Sequence, residues 1–151
     1  MADNFPRRRV LFLDDDPDRA EAFLHDRPEA IWVATAADCI ARLAENWDEI
    51  HLDHDLGGET YVDVDRPDCG MEVVRWLTSE PRPHLAPARI VVHSWNREAA
   101  EAMAAAMTSA GYRAQAVPFR FPDPPELDPE PTPGWLARML DRLRRGRSTG
   151  P

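Results

Sequence analysis

Lysine is absent from all 151 residues, and the 18 basic side chains are arginine. Any mechanism that needs a lysine ammonium is excluded outright. Long apolar runs are also missing. None approaches the roughly 20 residues of a membrane-spanning helix, and the N-terminus lacks the apolar stretch of a signal peptide. A cytoplasmic location and no membrane contact are the default expectation. There are only two cysteines, Cys39 and Cys69, with no pairing motif, which reads as two reduced thiols on helices. Positive charge is in deficit as well. The net charge of −9 argues against a broad DNA-binding surface, while leaving room for a local arginine site for a nucleotide end.

What is present is ordinary for a globular chain: 43% hydrophobic and 30% charged residues. The length suits one domain with a real core. Residues 1–8 read as a loose polar arm, 9–147 as the domain and 148–151 as a tail. Val10–Leu13 is a continuous apolar run, as in a strand buried on both faces. Asp16-Pro17 supplies an N-cap and first-turn proline for a helix carrying Ala20, Phe23 and Leu24. Ala30–Ala34 is a second short strand. Thr35 caps a second helix, with Asp38 completing an approximate capping box and Ala36, Ile40, Leu43 and Trp47 at helical spacing.

Glu49–Asp53 is the third strand. About fifteen residues follow, with Gly57, Gly58 and several acids. Gly70–Leu77 is the third helix, ended by Pro81 and Pro83. Arg89–His93 is the fourth strand. Ser94 or Asn96 caps a helix whose inward face reads as Ala99, Met103, Ala106 and Ala110, stopped by Gly111. Tyr112–Val117 is a polar strand suited to a sheet edge. Residues 118–133 hold 7 of the 15 prolines and form a stiff connection. A last helix runs from Trp135 to about Arg145, with Leu136, Met139, Leu140 and Leu143 on one face.

Strict alternation of strand and helix implies an α/β fold: a three-layer, doubly wound, five-stranded parallel sheet with helices on both faces. The commonest order at this length is flavodoxin-like, 2-1-3-4-5. Its ligand crevice lies at the carboxyl ends of strands 1 and 3. Asp14, Asp15, Asp16, Asp53 and Asp55 fall there, with His93 and Ser94 one strand over. Like charges within roughly 5 Å repel by kilocalories unless a cation sits among them. Carboxylate-rich ligation suits Mg²⁺, Mn²⁺ or Ca²⁺. Asp15 and Asp53 are the principal candidate ligands, with Asp14, Asp16 and Asp55 in support, although Asp16 also caps a helix.

His54 and His93 end strands in the same crevice, where neutral imidazoles can serve as base and acid on opposite sides of a phosphorus. His51 lies on its strand and reads as structural. Arg19, Arg97 and Arg120, with Ser94, Asn96 and two helix N-termini, are candidate phosphate binders. Trp95 could stack on a base, with packing the expected role.

The pattern resembles the receiver domain of two-component signalling over roughly residues 9–145. The acidic pair falls at Asp14-Asp15 or Asp15-Asp16 and the phospho-acceptor position at Asp53. Gly70-Met-Glu-Val-Val-Arg-Trp-Leu77 matches the entry to a receiver's third helix, Ser94 the hydroxyl residue after strand 4, and Pro118 the proline after strand 5. Receivers carry a lysine before that proline, and Val117 stands there here. Leu52-Asp-His-Asp-Leu-Gly57, the Asp15-to-Arg19 spacing, His93-Ser-x-Asn96 and a longer loop after strand 3 resemble instead the cyclic-phosphate-processing branch of receiver domains.

That resemblance implies action on a nucleotide or RNA end bearing a cyclic phosphate. Two functions follow as expectations. One is a phosphoesterase with Mg²⁺ or Mn²⁺ on Asp14, Asp15, Asp53 and Asp55. In it His54 and His93 share acid–base work, or Asp53 attacks phosphorus itself. The other is a non-catalytic interaction module that meets a protein partner through the face formed by helix 4, strand 5 and helix 5.

Overall fold

The computed structural model describes residues 8–117. In chain order the elements are β1 (Val10–Leu13), α1 (Pro17–Asp26), β2 (Ile31–Val33), α2 (Ala36–Arg42), β3 (Glu49–Leu52), α3 (Gly70–Ser79), β4 (Arg89–Val92), α4 (Arg97–Ser109) and β5 (Arg113–Ala116). A short 3-10 turn, Pro83–Leu85, precedes β4. All strand pairs are parallel and the sheet order is β2-β1-β3-β4-β5, as the sequence pattern predicts. The expected proline-rich connection, the Trp135 helix and Arg120 lie outside the described residues.

Local chemistry explains the helix starts. Asp16 accepts from the Asp18 and Arg19 N–H groups, and Pro17 occupies the first turn, where its missing N–H costs nothing. Thr35 caps α2 as expected, with Asp38 N–H donating to Thr35 Oγ1 at 3.1 Å and the Thr35 hydroxyl donating to the Asp38 carboxylate at 2.7 Å. Asn96, rather than Ser94, caps α4 by accepting from Ala99 N–H at 3.1 Å.

Two helices differ from expectation. α2 stops at Arg42, and Trp47 reaches the core from beyond it. The indole N–H donates to the carbonyl of Arg42 at 2.9 Å, so Trp47 closes the helix end instead of extending it. On α4 the buried face is Ala99, Ala100, Met103, Ala104 and Met107, while Ala106 and Ala110 are exposed. A helix with alanine all round has no strong apolar side of its own. The two long methionines, four residues apart, decide which face turns inward.

The two sheet faces carry different chemistry. Leu11, Leu13, Ile50, Leu52, Ile90 and Val92 share one apolar core with α2, α3 and α4. Alternation sends Phe12, His51 and Val91 to the opposite face, toward α1. There Phe12 stacks between Phe23 of α1 (centroids 4.1 Å apart) and His93 (4.9 Å). His51 meets Phe23 edge-on and bonds Glu49 at 2.6 Å, the structural role its place on the strand suggests.

One glycine fixes how α3 meets the sheet. Gly70 N–H donates to the carbonyl of His54 at 2.9 Å. A Cβ built on Gly70 falls 2.0 Å from the Asp53 carbonyl oxygen and 2.8 Å from His54 Cα. Both neighbours are backbone and cannot swing aside. Gly70→Ala is therefore expected to lower unfolding free energy by about 1–3 kcal/mol, the usual cost of overpacking. Urea denaturation midpoints check this, and a variant as stable as the parent would refute the close-approach argument.

Candidate functional site

The site grows out of strand register. Leu13, Leu52 and Val92 lie side by side in the sheet. The ladder then runs one residue further: Asp53 N–H donates to Leu13 C=O at 3.0 Å, and His93 N–H to Leu52 C=O at 2.9 Å. Asp14, Asp53 and His93 are thus the next row. Alternation puts them on the Phe12 side, the side that α1 covers. One ligand atom from each lies within 4.8 Å of the others, and all three residues are buried.

Arg19 enters this row from the first turn of α1. Its guanidinium donates to Asp14 Oδ1 through Nε (3.2 Å) and Nη2 (2.8 Å), and to Asp53 Oδ2 through Nη2 (2.7 Å). His93 Nε2 lies 3.1 Å from Asp14 Oδ2. The β1–α1 turn is held from outside as well, since the Trp32 indole donates to the Asp14 carbonyl at 2.6 Å.

The two acids end in different states. Burial alone would raise the Asp14 carboxyl, but hydrogen bonds from His93, Arg19 and the Asp16 N–H hold it below the usual carboxylate range. Asp53 is pushed up to about 7, first by burial and then by the Asp14 charge. Together these outweigh the attraction of Arg19 and the hydrogen bond of Ser94. Burial also lowers His93, against the pull of Asp14, and so favours a neutral ring. One arginine does not fully offset two buried carboxylates.

Above this row lies a cavity of about 290 Å³, lined by Asp15, Asp16, Pro17, Arg19, Asp53, Asp55, Gly58, Glu59, Thr60, Ser94 and Trp95. Asp55 shapes its wall. The carboxylate takes the N–H groups of Tyr61 (2.8 Å) and Val62 (2.9 Å) and the Nδ1 of His54 (2.8 Å), which folds the 56–62 loop over the site. Asp15 accepts from the Gly58 N–H and pins the same loop from the other side. Gly57 and Gly58 adopt φ of +79° and +75°, a region where L side chains are strained. Tyr61 has φ of +55° without being glycine, a local strain held by its N–H bond to Asp55.

Asp15, Asp53, Asp55, Arg19 and Ser94 therefore meet at one cavity, as the sequence pattern suggests. The acid that stands beside Asp53 in the row is Asp14, not Asp15, because Asp14 follows Phe12 by two residues and Asp15 faces the loop. His54 and His93 do not line the cavity. Each sits behind a carboxylate, His93 against Asp14 and His54 against Asp55. Asn96 is occupied as a helix cap. Arg97 pairs with Glu101 at 2.8 Å on exposed α4 and lines the adjoining cavity. Trp95 contradicts the packing expectation and is 63% exposed. Gly58, Glu59 and Thr60 are additional lining residues. The Gly-Gly pair was the visible signal for that turn, but nothing in its spacing said the turn folds back onto β1.

A parallel sheet in this order, with acids at the ends of β1 and β3, defines a receiver-type domain. Solved structures of similar fold include the BeF3-activated receiver domain of DrrB from Thermotoga maritima, with a TM-score of 0.51, 16% identity, and coverage of 93% of this chain and 100% of that one. The response regulator domain of Thermotoga maritima CheB has a TM-score of 0.50 and 15% identity, over 97% and 100%. The bacteriophytochrome response regulator AtBRR has a TM-score of 0.51 and 17% identity, over 78% and 86%. No curated protein matches the chain. Within the receiver fold the assignment narrows: the model of the cyclic-phosphate processing receiver domain matches residues 9–109, and the chain belongs to that family.

Two predictions follow from the acid row. Removing Arg19 strands two buried carboxylates, so Arg19→Met should cost about 3–5 kcal/mol in chelator, read by thermal unfolding. A loss below about 1 kcal/mol would show that the guanidinium is not their counter-charge. The second concerns pH. Because folding raises the Asp53 carboxyl from its ordinary 3.8 to about 7, its contribution is fully present below pH 3.8. It is lost as pH rises through about 7. In chelator, Asp53→Asn should gain thermal stability over the parent at about pH 8 and gain little at about pH 4. An equal gain at both would refute the titration.

Proposed function

We propose that this domain hydrolyses the cyclic phosphate end of a nucleotide or RNA, with a divalent cation, Mg²⁺ or Mn²⁺, in the acid-lined cavity. The observation that carries the reading is Asp53: a buried carboxylate at the floor of that cavity, bonded to a buried arginine, in a chain of the cyclic-phosphate processing family. The donor set fits such an ion. Hard oxygen ligands surround the cavity, and the row behind it holds more negative charge than Arg19 offsets. Asp15, Asp53 and Asp55 line the cavity and would hold the cation, with Asp14 adding charge from the row behind, and the cation would supply positive charge to the non-bridging phosphoryl oxygens.

The chain's own groups then divide the work. Arg19 and Ser94 face the position of a phosphoryl group, Arg19 as a fixed charge and Ser94 as a hydroxyl donor. Asp53 lines the cavity and the imidazoles do not, which favours Asp53 as the attacking group. Its oxygen bonds to phosphorus as the bond to one ribose oxygen breaks, and that oxygen takes a proton from water. Water then attacks the acyl phosphate, freeing the phosphomonoester and the Asp53 carboxylate. His93 and His54 act through Asp14 and Asp55 as positioning residues.

Asp53→Asn should lower turnover of a nucleoside 2′,3′-cyclic phosphate by at least about 10³-fold with the fold intact, the scale of losing a nucleophile. Mass spectrometry of acid-quenched enzyme should show a nucleotide adduct on Asp53. Turnover that survives the substitution refutes the role.

The alternative, a non-catalytic module, draws on one observation: at the end of β5 the residue is Val117, whose N–H simply continues the ladder to Val92 C=O. Its partner surface would be the side formed by α4 and β5. Calorimetry with Mg²⁺ or Mn²⁺, followed by incubation with cyclic nucleotides and acetyl phosphate, separates the two. Neither metal binding nor turnover supports the module, and stable phosphorylation of Asp53 supports an orthodox receiver.

A further inference from the structure

Ser94 is nearly buried, and the next residue, Trp95, is 63% exposed at the start of α4. An indole left in water is unusual beside a polar site, and its position is informative. Trp95 and Ser94 line both the acid cavity and a second one of about 380 Å³. The rest of that second wall is Arg97, Ala100, Glu101, Ala116 and Val117. The two cavities therefore adjoin along one aromatic ring. The first is acidic and suited to a cation and phosphate. The second has an apolar floor of two alanines and a valine, with the Arg97–Glu101 ion pair (2.8 Å) at its edge.

We infer that the second cavity is a base subsite, in which Trp95 stacks on the purine or pyrimidine of the nucleotide whose phosphate occupies the first. This rests on the hydrolase reading above and adds where the base is held and the selectivity that follows: a nucleoside cyclic phosphate in preference to a cyclic phosphate without a base. Three features fit a base. The volume falls in the usual range for a small-molecule site. A large aromatic side chain is 63% exposed beside both cavities, as the stacking residues of single-stranded nucleic-acid binders are. The Arg97–Glu101 pair offers both donors and an acceptor to polar base edges. Arg97 then serves the base side of the ligand rather than its phosphate.

The test compares a purine nucleoside 2′,3′-cyclic phosphate with glycerol 1,2-cyclic phosphate, which has the same ring ester and no base. The wild-type chain should prefer the nucleotide in kcat/KM. In Trp95→Ala that preference should fall roughly tenfold or more, mainly through KM, the scale of losing one base–aromatic stack. Trp95→Phe should restore most of it. Direct binding of the product nucleoside monophosphate, by calorimetry, should weaken in parallel.

If both esters turn over equally in the parent, or Trp95→Ala leaves the ratio unchanged, the base subsite is overturned while the hydrolase reading stands. If the parent turns over neither ester and binds no product nucleotide, both fall together.

Discussion

The structure depends on one arginine lying between two acids. Asp14 and Asp53 occupy adjacent parallel strands at the same level, a placement that sheet register makes unavoidable once β1 and β3 pair. Two carboxylates that close, both out of water, repel strongly. Arg19 resolves part of this by donating to both from a single turn of α1. The requirement explains the N-terminal chemistry of that helix. Asp16 caps it and Pro17 starts it, which fixes the first turn and so aims residue 19 back across the strand ends. His93 closes the row on the β4 side, next to Asp53, reaches Asp14 with its ring and is itself held by stacking on Phe12. Packing, register and charge therefore meet in one small group, and a change to any of the three should be felt by the others.

The remaining charge imbalance gives the site its character. Asp14 is held ionised by hydrogen bonds from His93, Arg19 and the Asp16 N–H, while Asp53 is raised to about 7, first by burial and then by the Asp14 charge. A carboxyl poised in this way answers to whatever positive charge arrives next. A divalent ion beside it would favour its ionised form. The loop of residues 56–62 brings one more acid, Glu59, to the cavity and is folded by Asp55 and Asp15. The Glu59 carboxylate adds negative charge to the cavity wall.

Much of this was legible in the residues. Alternating periodicities and handedness rules left a few strand orders, and the commonest of them at this length is the one observed. The convergence of acids followed from where each apolar run ended. The subtler point, that Asp14 rather than Asp15 joins Asp53, was also available, because Phe12 and Asp14 are two apart and share a face. It was obscured by three consecutive aspartates that look alike in sequence. Trp95 shows a different limit. Its size favoured burial, and only the close approach of Ser94 to the core, with the cap on Asn96, leaves the ring outside. The α4 face failed for a third reason: alanines give no strong preference, so the two methionines decide. Histidine position was legible as far as the strand ends, but which carboxylate each ring meets depends on the tertiary arrangement.

The missing lysine gains meaning from Arg19. In a receiver-type sheet a cation at the end of the fifth strand would approach the site from beside β4. Here Val117 continues the backbone ladder at that level, and the fixed positive charge comes from α1 instead. Moving the charge across the sheet frees the β4 side of the cavity, where Ser94 and Trp95 now stand. A lysine reaching in from β5 would crowd that space and present an ammonium where an aromatic face is exposed. A guanidinium from α1 can hold both carboxylates at once through its planar fork, which a single ammonium cannot do with the same geometry. The loss of the lysine and the gain of an open, aromatic-walled approach are thus one rearrangement.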